Sequence, residues 1–525
     1  MFKLLETCHR FKTKLVTVFK LRLLVLFGLG GLACLALPPV GFFPILWLVF
    51  PAALWIFEKE PNRHRVFWLG WFFGLGYFVF GLYWITNAVL VGGADYLWAI
   101  PFALLGLPAF LAFFIGAVVL AWHWFDLRGW QGVLVFAIFW TLAEYVRGHV
   151  LSGLPWNLIA YSIDPSDALR QGASVVGAYG VSLAVVTLFA MPLVLLGDRR
   201  SRAGFVALGS VLIFGLVWWG LGSYRLAIAP SLEAKSEQIT RLRLVQPNVT
   251  QTMGYDSQRI VEIINKLASL SFTELDPTTS AIIWPEGATE SLFERQAQLR
   301  QSISQALPEG TKLITGTPRA TIVSKLSAFV ALNQRLESNA IDTVSEEWRY
   351  SNGLVVFNHL NQIIASYDKY HLVPFGEYIP LSNYIPLKKL VQFPADFTSG
   401  PGPRLISVKG LPEFIPMICY EGIFPAANFA IDQTGGKQPF WLLSISNDGW
   451  FGTSSGPYQH LTQTKWRGVE EGLPMVRVAN SGISAVSDSF GRILVASRLN
   501  NTAVIDVVLP NSLQYQTIYA KYLDR

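Results

Sequence analysis

The chain has 525 residues, 52% of them hydrophobic and only 14% charged, too few charges to clothe a water-soluble surface, so part of it faces something other than water. The net charge of +6 does not point to nucleic acid. Its basic residues fall in short clusters between apolar runs (Lys12, Lys14, Lys20 and Arg22; Arg63 and Arg65; Arg199, Arg200 and Arg202), the pattern of cytoplasmic loops, not of a binding face.

Seven apolar stretches predict transmembrane segments: Leu23–Leu37, Gly41–Phe57, Val66–Val89, Leu97–Trp122, Trp130–Val146, Val175–Leu196 and Phe205–Leu221. The first two are short and divided by Pro38 and Pro39, as in a helical hairpin. The first is glycine-rich and lacks a small-residue cleavage site after it, so it reads as a retained segment and not a removable signal. With the basic leader inside, seven crossings place everything after Gly222 outside. The loops agree: Glu58–Arg65 and Gly197–Arg202 fall inside and carry arginine, whereas Leu90–Tyr96 falls outside without a basic residue. The expected organisation is a transmembrane bundle of about seven helices over 1–222 and an extracytoplasmic catalytic domain over 223–525. Near the outer end of the fifth segment, Glu144 and Arg147 lie three apart on one helix face and are placed to pair, as a structural pair or as part of a head-group site. The stretch Ser152–Trp156 (SGLPW) follows on the same side.

The second half alternates strand and helix patterns, an α/β arrangement with much of the sheet buried. Strands are predicted at Arg241–Val249, Ser280–Pro285, Lys312–Gly316, Leu354–Asn358, Ile363–Tyr367, Phe414–Cys419, Trp441–Ser446, Pro474–Val478 and Thr502–Val508. Helices are predicted at Ser257–Leu270, Phe293–Leu307 and Tyr458–Glu471.

Three polar motifs interrupt this pattern, each at a strand end, where α/β folds place catalytic groups. The first is Trp284-Pro285-Glu286, where a semi-buried glutamate suits a general base. Taken alone, Glu286 is better read as a helix cap or a surface carboxylate. The second runs from Tyr367 to Tyr378 (YDKYHLVPFGEY); its Lys369 can stabilise a developing oxyanion, and Glu377 can return to the same pocket past a Pro-Phe-Gly turn. The plainer reading is a surface lysine, with His371 a structural hydrogen-bonder. No second histidine stands at ligand spacing, so no metal and no cofactor is expected. The third is Ile418-Cys419-Tyr420-Glu421. Of three cysteines (Cys8, Cys34, Cys419) only Cys419 lies in the second half, so it has no disulfide partner there. A free cysteine is commonly a small buried hydrophobe. At a strand-to-helix turn, however, helix amides lower a thiol's pKa and favour thiolate.

Glutamate, lysine and cysteine in this order resemble the triad of the nitrilase (carbon–nitrogen hydrolase) superfamily. With the apolar segments before it, the chain is similar over nearly its whole length to the apolipoprotein N-acyltransferase family of bacterial envelopes. The motifs that carry the likeness are WPE at Glu286, YDKYHLVPFGEY at Lys369, CYE at Cys419, SNDGWFG at Ser446–Gly452, Gln459-His460, Tyr83-Trp84, Glu144 with Arg147-Gly148, and Leu154-Pro155-Trp156. The resemblance implies an αββα sandwich on a membrane bundle and a ping-pong acyl transfer. Cys419 would attack a phospholipid ester, most simply the sn-1 ester of phosphatidylethanolamine, with Glu286 as base and Lys369 at the oxyanion. The thioester would acylate the N-terminal amine of a diacylglyceryl-cysteine apolipoprotein. Glu377, Tyr420 and Glu421 match positions around the family's pocket, and the expected setting is the bacterial inner membrane with a periplasmic catalytic domain. Tyr255 stands where the family usually has a functional tryptophan. The chain also stops at Tyr519–Arg525 without the family's usual last membrane helix, so its C-terminus is expected outside. The proline- and aromatic-rich segment Pro380–Pro403, with Lys388 and Lys389, reads as an arm that touches the outer leaflet. Two rival readings are a membrane-anchored amidase that uses the same triad with water, and a transporter with an accessory domain. Seven apolar segments exceed what an anchor needs, and they lack the repeated broken helices of transporters.

Overall fold

The structure, a computed structural model, describes residues 18–196, 201–229, 239–251, 257–289, 291–322, 348–380, 396–425 and 438–523. Helices occupy all seven apolar stretches. Six are long and apolar enough to cross a membrane: Phe19–Ala36, Arg63–Leu82, Ala94–Trp124, Gly129–His149, Ala173–Leu196 and Arg202–Ala227. The second stretch gives a shorter helix, Phe43–Glu58. Pro38, Pro39 and Pro44 delay its start, and its 16 residues reach only about 24 Å, less than the hydrocarbon thickness of roughly 30 Å. The glycines of the first helix have a packing reason. A Cβ on Gly30 would collide with the Phe73 carbonyl, and one on Gly76 with the Phe27 carbonyl, so Phe19–Ala33 and Arg63–Leu82 approach backbone to backbone.

Two charged pairs differ from expectation. Arg22, read as one of the inside loop cations, is buried and bonds Glu60 at 2.9 Å. Glu144 and Arg147 are both buried, but no ion pair joins them among the described residues. Glu144 Oε1 accepts from Trp140 Nε1 (3.0 Å) and the Ile159 amide (2.8 Å), while Arg147 Nη1 donates to the carbonyls of Leu154 (2.6 Å) and Trp156 (2.7 Å). Backbone groups of the loop after the helix compete successfully for both side chains, because a buried loop must satisfy its amides and carbonyls.

The second half forms two six-stranded sheets. The strands are β1 Arg241–Gln246, β2 Ala281–Ile283, β3 Lys312–Ile322, β4 Trp348–Asn358, β5 Ile363–Asp368, β6 Ile406–Val408, β7 Leu411–Ile418, β8 Trp441–Ser446, β9 Met475–Ala479, β10 Ala485–Ser487, β11 Ile493–Ala496 and β12 Ala503–Val508. The first sheet runs β12-β1-β2-β3-β4-β5 and the second β11-β10-β9-β8-β7-β6. Alternate side chains of the two sheets meet in one core, with Leu244, Ile283, Ile314 and Val356 facing Phe414, Ile418, Leu443, Ile445 and Val476. Helices Ser257–Phe272 and Ala297–Ala306 cover the outer face of the first sheet through Ile263, Leu267 and Ile303. Gly456–Glu471 covers the second sheet and also packs on the membrane bundle through Trp466 and Val469. The layers are therefore α, β, β, α, as expected. β6, β10 and β11 were not expected, β3 and β4 extend beyond their predicted bounds, and the predicted helix Phe293–Leu307 is a 3-10 turn, Phe293–Arg295, followed by Ala297–Ala306.

Candidate active site

Strand directions bring the three motifs together. β1, β2 and β3 are parallel, and β5 regains their direction after the antiparallel β4. In the other sheet β7, β8 and β9 are parallel. Glu286 follows β2, Lys369 follows β5, Cys419 follows β7, and Asn447 follows β8, so all four stand at one end of the sandwich. Glu286 lies where its strand crosses Gly316 of β3. A Cβ there would sit 2.6 Å from the Glu286 Cα, so only glycine allows the crossing.

Lys369 is fully buried between two carboxylates, its Nζ 3.0 Å from Glu377 Oε1 and 3.5 Å from Glu286 Oε1. Asn352, in the middle of β4, donates through Nδ2 to both carboxylates, at 2.8 Å to Glu286 Oε1 and 2.6 Å to Glu377 Oε1. The other oxygens accept backbone amides, Asn447 N for Glu286 (2.8 Å) and Val373 N for Glu377 (2.7 Å). Burial alone would discharge the Lys369 ammonium, but Glu377 and then Glu286 outweigh it and hold the group above its usual range.

Cys419 opens a 3-10 turn, Cys419–Ile423, with φ +52, a left-handed backbone that is strained for a residue with a side chain. The expected low thiol pKa is not what this turn produces. Burial and then the Glu286 carboxylate push the thiol well above its ordinary value, against the opposing pull of Lys369 and a Ser446 hydrogen bond. The resting group is a neutral thiol beside a carboxylate, so its proton must leave as it attacks. Glu421 lies behind this turn and ties it to the lysine strand. Its Oε1 accepts from Tyr367 OH (2.9 Å), Tyr370 N (2.8 Å) and His371 N (3.3 Å), and its Oε2 from Ile418 N (2.7 Å). Burial, which outweighs these donors, raises its carboxyl to about 7.

The same turn rests on the membrane bundle. Tyr420 OH donates to Gly153 O (2.8 Å), His371 Nε2 lies 2.7 Å from Ser152 O, and Trp156 Nε1 donates to Gln459 Oε1 (2.7 Å), so the SGLPW loop contacts both sides of the cysteine. His371 stacks on Phe424 at 3.8 Å and serves as a structural hydrogen-bonder. Across the pocket the SNDGWFG loop is bolted to the helices: Asn87 Nδ2 donates to Phe451 O (2.8 Å), and Trp84 packs on Trp156 and Phe451 with ring centroids 4.5 Å away. Tyr255 and residues 381–395 of the expected arm lie outside the described residues. Among the described residues no cluster of three or more His, Cys, Asp or Glu side chains is arranged to hold a metal. Sequence reading missed Asn352 and the amide of Asn447. It quoted Asp448 and His460 only within motifs and passed over Arg477.

Two family descriptions match the chain, the apolipoprotein N-acyltransferase N-terminal domain over residues 29–191 and carbon–nitrogen hydrolase over residues 241–519. The apolipoprotein N-acyltransferase of Rhodopseudomonas palustris is 36% identical over 515 residues, covering 94% of this chain and 90% of that protein. That of Brucella melitensis is 35% identical over 509 residues, covering 93% and 90%. Among solved structures, an amidase of the nitrilase superfamily from Nesterenkonia AN1 aligns with 14% identity and a TM-score of 0.36, covering 55% of this chain and 95% of that one.

Proposed function

The chain belongs to the apolipoprotein N-acyltransferase family, and from that premise we propose that it moves a fatty acyl chain from a phospholipid, through a thioester on Cys419, to the N-terminal α-amine of diacylglyceryl-cysteine on apolipoproteins, the last step of bacterial lipoprotein maturation. In this reading a bundle over 1–222 holds a nitrilase-like catalytic domain over 223–525 at the periplasmic face of the inner membrane.

Glu286 takes the thiol proton as Cys419 Sγ attacks the ester carbonyl of a donor such as phosphatidylethanolamine. Lys369 and backbone amides meet the oxyanion as it forms. The C–O bond breaks, Glu286 returns the proton to the departing oxygen, and a lysophospholipid leaves. The α-amine of the acceptor then attacks the thioester, Glu286 takes the amine proton, and Cys419 regains it as the amide forms. Asn352, Asn447 N and Glu377 hold Glu286 and Lys369 in register for both halves.

The observation that carries the reading is the seat of the cysteine turn. Tyr420, His371 and the Gln459 side chain all bond the SGLPW loop of the bundle, so the turn that carries Cys419 rests on the apolar-helix half, which supports a lipid ester as the donor in this reading. The test is release of lysophospholipid by the purified chain in lipid nanodiscs, with and without a diacylglyceryl-cysteine peptide. Acyl transfer predicts lysophospholipid in step with N-acylated peptide. Release of free fatty acid regardless of peptide would identify a hydrolase instead.

A further inference from the structure

His460 is completely buried, and one of its bonds reaches the backbone of the candidate nucleophile. Its Nε2 lies 3.0 Å from the Cys419 carbonyl oxygen, and its Nδ1 lies 2.9 Å from Asp448 Oδ1 and 3.1 Å from Arg477 Nη2. Arg477 donates to both Asp448 oxygens, at 2.9 and 2.8 Å, and Ser446 Oγ adds a bond of 2.7 Å to Oδ1. All four side chains are buried. Burial and then Arg477 keep the imidazole below its usual pKa, so it carries one proton. On Nδ1, that proton would leave two lone pairs facing each other across Nε2 and the carbonyl. On Nε2, it donates to Cys419, and Nδ1, although it then also faces Asp448 Oδ1 at 2.9 Å, accepts from Arg477. Only the second tautomer gives both ring nitrogens a hydrogen bond. Asp448, although buried, is held well below the carboxylate range, chiefly by Arg477.

The carbonyl that His460 grips belongs to the same rigid plane as the next amide. The Cys419–Tyr420 peptide is trans, so fixing its carbonyl fixes the opposite direction of the Tyr420 N–H. The left-handed φ of +52 at Cys419 is strained and persists only where the surroundings hold it.

We propose that the Arg477–Asp448–His460 chain is a positioning device: it clamps the Cys419 carbonyl so that the Tyr420 amide and the thiol keep the mutual orientation that an oxyanion next to sulfur requires. His460 contacts no reacting atom and is a positioning residue. The inference rests on acyl transfer through Cys419.

The test compares two reactions of one sulfur in the full-length chain, acyl-enzyme formation from phospholipid and alkylation by iodoacetamide. Alkylation passes through no oxyanion and does not need the aimed amide. His460→Leu is expected to slow acyl-enzyme formation by about 10²–10³-fold, the worth of one oxyanion donor, while alkylation and the KM for phospholipid stay unchanged. His460→Gln, whose amide N–H can reach the carbonyl, is expected to recover most of the loss. Equal loss of both reactions in His460→Leu, undiminished acyl-enzyme formation, or a glutamine variant no better than leucine would overturn the clamp. A wild-type chain that is alkylated but never acylated overturns the thioester reading itself, and the clamp with it.

Discussion

Lys369→Met removes a buried cation that contacts two carboxylates at once, and the geometry sets the size of the effect. The Oε1 atoms of Glu286 and Glu377 touch the same Asn352 nitrogen at 2.8 and 2.6 Å, so they lie within about 5 Å of each other, where like charges repel by roughly 3 kcal/mol at an effective dielectric of about 20. Breaking a buried ion pair from one side typically costs about 3–5 kcal/mol. The lost oxyanion contact adds a separate kinetic penalty of about 3 kcal/mol, roughly a hundredfold in acyl-enzyme formation. The two penalties separate in the double variant Lys369→Met with Glu377→Gln, which removes one of the repelling charges. That protein should regain roughly 3 kcal/mol of the lost stability and none of the lost rate. Unfolding in nanodiscs and single-turnover acylation measure the two quantities. A Lys369→Met chain with near-normal acylation, or a double variant no more stable than the single one, would refute the reasoning.

Glu286→Gln keeps the bond from Asn447 N but cannot take the thiol proton, and single-turnover acylation should fall by about two to four orders of magnitude. Gly316→Ala places a methyl 2.6 Å from the Glu286 Cα; overpacking should cost about 1–3 kcal/mol in the unfolding midpoint, with acylation reduced as Glu286 is displaced. Glu421 supplies a pH test. Its carboxyl is raised from 4.5 to about 7 in the folded chain, so between those values the folded state holds a proton that the unfolded state has lost. Its contribution to stability therefore grows as pH falls from about 7 to 4.5 and shrinks again as pH rises. Measured against Glu421→Gln, which is neutral throughout, the wild-type unfolding midpoint should gain ground between pH 8 and pH 5; a constant difference would contradict the assignment.

The strand-end motifs were legible because each ends an apolar run with a polar group that a strand interior would not tolerate, as at Ile283 to Glu286 and Met417 to Cys419. Their convergence followed from strand direction, which an alternating pattern of strands and helices implies. The second tier of the site left a weaker trace. Asn352 is one polar residue in a β-strand and becomes informative only when Glu286 and Glu377 both meet its amide. Arg477 did leave a signal: an arginine inside the apolar strand MVRVA needs a buried partner, and Asp448 provides it. Glu144 and Arg147 have the spacing of an ion pair, yet a loop with amides and carbonyls to satisfy took both side chains. The thiol's raised pKa could not be read from the turn, because burial and a neighbouring carboxylate overrode the helix amides. β6, β10 and β11 are three or four residues long, too short for alternation to mark them.

The central claim, a thioester on Cys419, is tested most directly by intact-protein mass. The purified chain is incubated with a phospholipid of one defined acyl chain and no acceptor, alongside Cys419→Ala. The wild type should gain the mass of one acyl group, lose it to hydroxylamine, and pass it to a diacylglyceryl-cysteine peptide when one is added. Cys419→Ala should gain nothing. An unmodified wild type that still acylates the peptide, or an adduct that survives in Cys419→Ala, would contradict the account.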